Sequence, residues 1–136
     1  MIDYKNCKEF KAEQLKKLFQ SVGWVSADYP NKLVKALENS DTVISAWDKE
    51  KLVGLINVID DGALTAYAHY LLVDPDYQGK GIGTELVERI KRRYKDYLYL
   101  LLIAENKGLV EFYKQRGFQV ENGAVPMAVM NFDLKD

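Results

Sequence analysis

Apolar and polar residues along this chain follow two distinct rhythms. Between residues 12 and 22, Leu15, Leu18, Phe19 and Val22 recur at helical spacing, and Gly23 ends the pattern. The aromatic-rich stretch Trp24–Tyr29 reads as a loop, and Pro30-Asn31 opens a second short helix whose Leu33, Val34 and Leu37 face inward. Residues 2–7 read as an edge strand. From Thr42 the pattern changes to β-branched and apolar runs. Thr42–Trp47, Leu52–Ile59 and Leu64–Val73 are separated by the charged turns Asp48-Lys49-Glu50-Lys51 and Asp60-Asp61-Gly62, which predicts a three-stranded antiparallel meander.

The second half reads differently. An amphipathic helix pattern, Ile82, Leu86, Val87, Ile90 and Tyr94, follows the turn Val73–Thr84. Next, Tyr97–Ile103 is apolar at nearly every position, as expected of a strand buried on both faces beside a crossover helix. The order strand, helix, strand over Leu64–Ile103 makes its two strands parallel. A further helix runs from about Lys107 to Arg116 with Leu109, Val110 and Tyr113 on one side, and Gly117 stands at its C′ position. Two late strands are expected near Phe118–Glu121 and Met127–Leu134. The expectation is an α/β fold in one domain over residues 1–136, with about four helices around a mixed, mostly antiparallel sheet of about six or seven strands.

Charge and composition narrow the function. The 136 residues carry 19 basic and 20 acidic side chains. That balance argues against nucleic acid as the main partner, and Lys91-Arg92-Arg93 reads as a solvated helix face. Cys7 is the only cysteine, so no intramolecular disulfide can form, which fits a reducing cytoplasm. No apolar run reaches bilayer length and Met1-Ile-Asp-Tyr-Lys-Asn is no signal peptide, so neither membrane nor export is expected. One histidine and one cysteine are too few for a zinc site or a cysteine–histidine pair, so no metal is expected.

The turn carries the chemistry. Gly79, Gly81 and Gly83 alternate at a helix entrance, where free N–H groups and the helix dipole suit a phosphate. No glycine precedes Lys and then Ser or Thr, which excludes a Walker A loop. The G-x-G-x-G spacing, with Thr84 following and three antiparallel strands before it, also fails the dinucleotide fingerprint. A turn with no ligand would rarely need three alternating glycines.

Gln78-Gly79-Lys80-Gly81-Ile82-Gly83, led in by Val73-Asp74-Pro75, resembles the signature of the GNAT superfamily of acetyl-CoA-dependent N-acetyltransferases. Asn106, Phe112-Tyr113 and Gly117-Phe118 resemble its downstream signature, and the element order agrees over essentially the whole chain. The resemblance implies acetyl-CoA as cosubstrate, with residues 79–84, Gly79, Lys80, Gly81, Ile82, Gly83 and Thr84, cradling its pyrophosphate beside Gln78. It implies that the parallel strands splay and that main-chain groups of Leu71, Leu72 and Val73 pair with the pantetheine arm. Asn106 is a favoured N-cap that can also touch the cofactor, and Phe112 packs near the cofactor or in the core. A homodimer is compatible with the family.

Acyl transfer needs a neutral amine, a stabilised oxyanion and a proton for the departing thiolate. By pattern alone Tyr113 is a core aromatic; by resemblance it is the proton donor. His69, on the strand leading to the turn, is either the base or a half-buried structural residue, with water as the other route. Tyr67 shares its strand face and could relay a proton. A backbone N–H near Leu71 is the expected oxyanion donor. Trp24 and Tyr29 on one side, and Gly123–Pro126 on the other, would receive the acceptor, a primary amine of a small molecule or protein. The alternative is a CoA-binding sensor or interaction module of the same fold without catalysis.

Overall fold

In the computed structural model, which describes residues 1–136, the apolar rhythm yields five strands and four α-helices: β1 (Ile2–Asn6), α1 (Ala12–Ser21), α2 (Pro30–Glu38), β2 (Thr42–Asp48), β3 (Lys51–Asp60), β4 (Thr65–Val73), α3 (Ile82–Arg93), β5 (Tyr99–Leu101) and α4 (Lys107–Lys114). Short 3-10 turns occupy Val25–Asp28 and Pro75–Tyr77. The strands lie in sequence order, antiparallel up to β4, and β5 joins β4 in parallel.

Each face of the sheet has its own core. Leu15, Leu18 and Phe19 of α1 and Leu33 and Leu37 of α2 pack with Val43, Leu55 and Leu72 on one face. On the other, Leu86 and Ile90 of α3 pack with Ile44, Val53, Val58 and Ala66. Central β2 and β3 are therefore buried on both faces, which explains their nearly unbroken apolar sequences. Beyond the end of α3, the Tyr94 hydroxyl donates to Asp60 Oδ2 at 2.7 Å and meets Thr42 Oγ1 at 2.7 Å, locking the helix end to the sheet.

Three expectations need correction. The sheet has five strands, because residues 118–136 form none. A strand exists only through its ladder, and this segment leaves the sheet. Its far end lies instead at the start of α2, where the Asp136 carboxylate accepts the backbone N–H groups of Asn31 and Lys32 at 3.1 and 2.9 Å. The run Tyr97–Ile103 contributes only three residues to β5. Nor is it buried on both faces: Leu100 and Leu102 pack on the α3-side core, whereas Tyr99, Leu101 and Ile103 are exposed. The helices α1 and α2 pack over β2, β3 and β4, so nothing covers that face of the edge strand.

The crossover opens the site. β4 and β5 pair only at Thr65–Tyr67 against Tyr99–Leu101. β4 continues to Val73 without that partner, so the two strands diverge beside the entrance to α3.

Candidate active site

The glycine turn is built to expose backbone. Gly79 and Gly81 have φ of +79° and +84°, and a Cβ at either position would meet nothing within 4 Å. The conformation thus demands glycine while the space beside it stays open. Gly81 is the N-cap of α3 and no side chain caps that helix, so its first N–H groups have no acceptor within the helix. Neighbours hold the turn from below. The Gln78 side-chain amide donates to the Val73 carbonyl at 3.0 Å, and buried Asp74 accepts from the Asp76 N–H at 2.9 Å and pairs with Lys51 at 3.5 Å. Tyr77 donates to Asp48 at 2.5 Å, and Lys51 and Lys80 sit 5.2 and 5.3 Å from its ring centre. The Asp48 bond holds the Tyr77 hydroxyl above its ordinary pKa, so this strut stays protonated.

Arg116 closes the other side of the turn. Its guanidinium donates to Thr84 Oγ1 through Nε at 3.0 Å and Nη2 at 2.6 Å, and to the Phe112 carbonyl at 2.8 Å. It also lies 3.7 Å from the Phe112 ring centre. With both Thr84 lone pairs engaged, the hydroxyl hydrogen is left to donate outward. Phe112 in turn stands 3.4 Å from where a Cβ of Gly83 would lie, so α3 and α4 meet closely here. Arg116 escaped the sequence reading; its place directly before Gly117-Phe118 was the only hint.

Where β4 and β5 diverge, a narrow cleft of about 30 Å³ is bordered by Trp24, His69, Leu71, Leu102, Glu105 and Tyr113. Tyr113 is only 7 % exposed, yet no buried polar side-chain atom in the molecule lacks a partner. Because its hydroxyl makes no protein hydrogen bond, that oxygen is open to solvent, on a ring that borders both this cleft and a larger neighbouring groove. Burial, and then the Glu105 charge, push its pKa up to about 12. Asn106 caps α4, accepting the Leu109 N–H at 2.9 Å, which leaves its amide nitrogen uncommitted.

His69 stands opposite, in hydrogen-bond contact with Tyr67 (Nδ1 to Oη, 3.0 Å) and 4.2 Å from the Tyr70 ring centre. Desolvation lowers the imidazole pKa against an opposing pull from Glu105, so the ring is neutral at pH 7. A β-bulge places it. Ile56 pairs with Leu71 and Val58 with Ala68, so His69 and Tyr70 together oppose Asn57. The Asn57 side-chain oxygen Oδ1 accepts the Tyr70 N–H at 2.8 Å, and its side-chain Nδ2 donates to Ser40 Oγ at 3.1 Å. Strict alternation, which placed Tyr67 and His69 together, therefore stops at His69. A buried amide inside the apolar run Leu52–Ile59 was the sequence signal for this bulge, and the sequence reading passed over it.

Trp24 borders the cleft and its ring lies 5.9 Å from that of Tyr70, whose hydroxyl meets Ser26 Oγ at 2.9 Å. Tyr29 sits instead at the start of α2, outside the cleft lining. Ala124, Val125 and Pro126 border a larger open groove of about 820 Å³ that also reaches Tyr67 and Tyr113; Gly123 does not. Nowhere do three or more His, Cys, Asp or Glu gather as metal ligands, and no helix is long and apolar enough to cross a membrane.

The fold and sequence resemble those of known proteins. A GNAT-family acetyltransferase from Streptococcus pneumoniae superposes with a TM-score of 0.83 at 30 % identity, over 97 % of this chain and 99 % of that one. An uncharacterized ycf52-like N-acetyltransferase of Prochlorococcus marinus is 30 % identical over 79 % of this chain and 62 % of its own length. The ycf52 N-acetyltransferase of Gracilaria tenuistipitata is 36 % identical over 76 % of this chain and 59 % of its own. The chain thus spans about three fifths of the length of these two relatives. The profile of the acetyltransferase (GNAT) family matches residues 9–118, and the chain belongs to that family.

Proposed function

We propose that this protein transfers the acetyl group of acetyl-CoA to a primary amine of a small molecule or protein, by direct attack within a ternary complex. The observation that carries this reading is a juxtaposition: an uncapped helix entrance with open left-handed glycines lies beside a strand gap that ends at a free tyrosine hydroxyl. The cradle suits a pyrophosphate, since the helix entrance is uncapped and the space beside Gly79 and Gly81 is open. On its β5 side, the backbone of β4 from Leu71 to Val73 has no strand partner, which suits an extended amide-bearing arm.

When bound, acetyl-CoA supplies an activated thioester. His69, neutral at pH 7, takes a proton from the acceptor's ammonium, directly or through water, and the neutral amine then attacks the thioester carbonyl. A new C–N bond forms as the C–S bond breaks. Backbone N–H groups near the bulge offer stabilisation where negative charge develops. Tyr113 keeps its proton at working pH and gives it to the departing thiolate, then regains one from solvent.

Thermal shift with acetyl-CoA tests the donor half. A ligand at a hundredfold excess over its Kd should stabilise the fold by about 2.7 kcal/mol, and no shift at saturation would sink the reading. Thiol release across an amine panel tests the acceptor half. Cofactor binding without release by any amine would favour the non-catalytic CoA-binding module.

A further inference from the structure

Glu105 is the charge in the cleft that the chemistry above leaves unused. It follows β5 and is the only carboxylate on a border otherwise made by Trp24, His69, Tyr113 and aliphatic side chains. Several carboxylates on the helices and the turn are paired: Glu85 with Arg89, Glu88 with Lys91, Glu111 with Lys114 and Asp74 with Lys51. No lysine or arginine pairs with Glu105. The N–H groups at the start of α4 do not engage it either, because Asn106 caps that helix. Yet its field reaches the other titratable groups of the cleft, His69 and Tyr113, and neighbouring Tyr67, holding their protons more tightly.

A carboxylate on an exposed loop is ordinarily just solvated. Glu105 differs in bordering a cleft whose walls are largely apolar. Such a site repels anions and stabilises cations. The Trp24 ring adds a second surface that favours a cation. A cleft of about 30 Å³ has room for an amine head group and little more.

Resting on the transferase reading, we propose that Glu105 is the acceptor-binding carboxylate, and that the acceptor is an unbranched primary alkylamine that arrives as its ammonium ion. Glu105 draws in the charged head and aligns it between His69 and Trp24. The same negative charge also holds the ammonium proton, so collection and deprotonation fall to different residues. Glu105 collects; His69 deprotonates.

The test titrates n-butylammonium, and 1-butanol as its uncharged counterpart, into protein saturated with CoA, with binding read by calorimetry. The wild type should bind n-butylammonium about tenfold more tightly than 1-butanol. Glu105→Gln, which keeps the shape and removes the charge, should lose that preference. Glu111→Gln makes the same change of net charge on α4 and should retain it. With n-butylamine as acceptor, Glu105→Gln should raise its KM about tenfold and leave the acetyl-CoA KM unchanged. Equal n-butylammonium binding by wild type and Glu105→Gln overturns the proposal, as does equal weakening in both variants, or a wild type without the preference. The transferase reading fails separately. A charge preference that depends on Glu105, without thiol release, sinks catalysis and leaves the ammonium site standing. An n-butylamine KM unaffected by Glu105→Gln, with thiol release intact, does the reverse.

Discussion

Tyr113 and His69 illustrate how surroundings divide proton handling between two side chains. Burial raises the tyrosine and lowers the histidine, so one holds a proton and the other is free of it at pH 7. Tyr113→Phe should keep acetyl-CoA binding, because the ring still packs against Phe112 and Phe118, while kcat falls by about a hundredfold. Steady-state kinetics beside calorimetry checks this, and unchanged turnover would remove Tyr113 from the reaction. For His69 the sign follows from its depressed pKa. The imidazole is neutral and able to accept a proton until pH falls through a value below 6.5. The acid limb of kcat/KM should therefore lie below pH 6.5 and disappear in His69→Gln, leaving only the slope due to amine ionisation. A pH profile that the substitution leaves unaltered would hand the base role to water.

At the scale of elements, the glycine turn and the bulge make separate predictions. Gly81→Val puts a β-branched residue at φ +84°, which should cost about 1–3 kcal/mol of stability and abolish the acetyl-CoA thermal shift. A stable variant that still shifts would show that the turn does not approach the cofactor. Asn57→Leu leaves the Tyr70 N–H without its acceptor, whereas Ser40 keeps its bond to the Ala36 carbonyl. It should cost about 1–3 kcal/mol and, by loosening the bulge, lower kcat more than it changes acetyl-CoA affinity; denaturant melts with kinetics read both. These two features also mark how far the chain could be read from its letters. The turn was legible because glycine spacing and the adjoining helix rhythm are local properties. The bulge was not, since it arises from Asn57 meeting a strand more than ten residues away. β5 misled for the same reason. Its apolar letters do not say that α1 and α2 cover other strands, nor that residues 118–136 run toward α2 instead of pairing beside it.

Across the whole molecule, tyrosines link fold stability to alkaline pH. Tyr4, Tyr67, Tyr77, Tyr94, Tyr97 and Tyr113 all have raised pKa values, Tyr94 to about 12. A raised pKa means that the folded state holds the proton more tightly than the unfolded chain. Their contribution is complete below pH 10 and is lost as pH rises from 10 toward 12. Tm should therefore decline across that window. The decline should be shallower in Tyr94→Phe, although that variant starts lower because Asp60 and Thr42 lose their shared partner. A parallel decline in both proteins would discharge Tyr94 from that role.

Asn57 has one more consequence, for how the molecule reaches its native state. Its amide is the single part that fits between Ser40 and the Tyr70 N–H, so it acts as an index pin for the pairing of β3 with β4. A slip by one residue would offer Ile56 or Val58 to those groups and strand the amide among aliphatic side chains. Misregistered chains are thus penalised during folding itself. The histidine beside the cleft comes to its position as a by-product of that proofreading, before any cofactor or amine is bound.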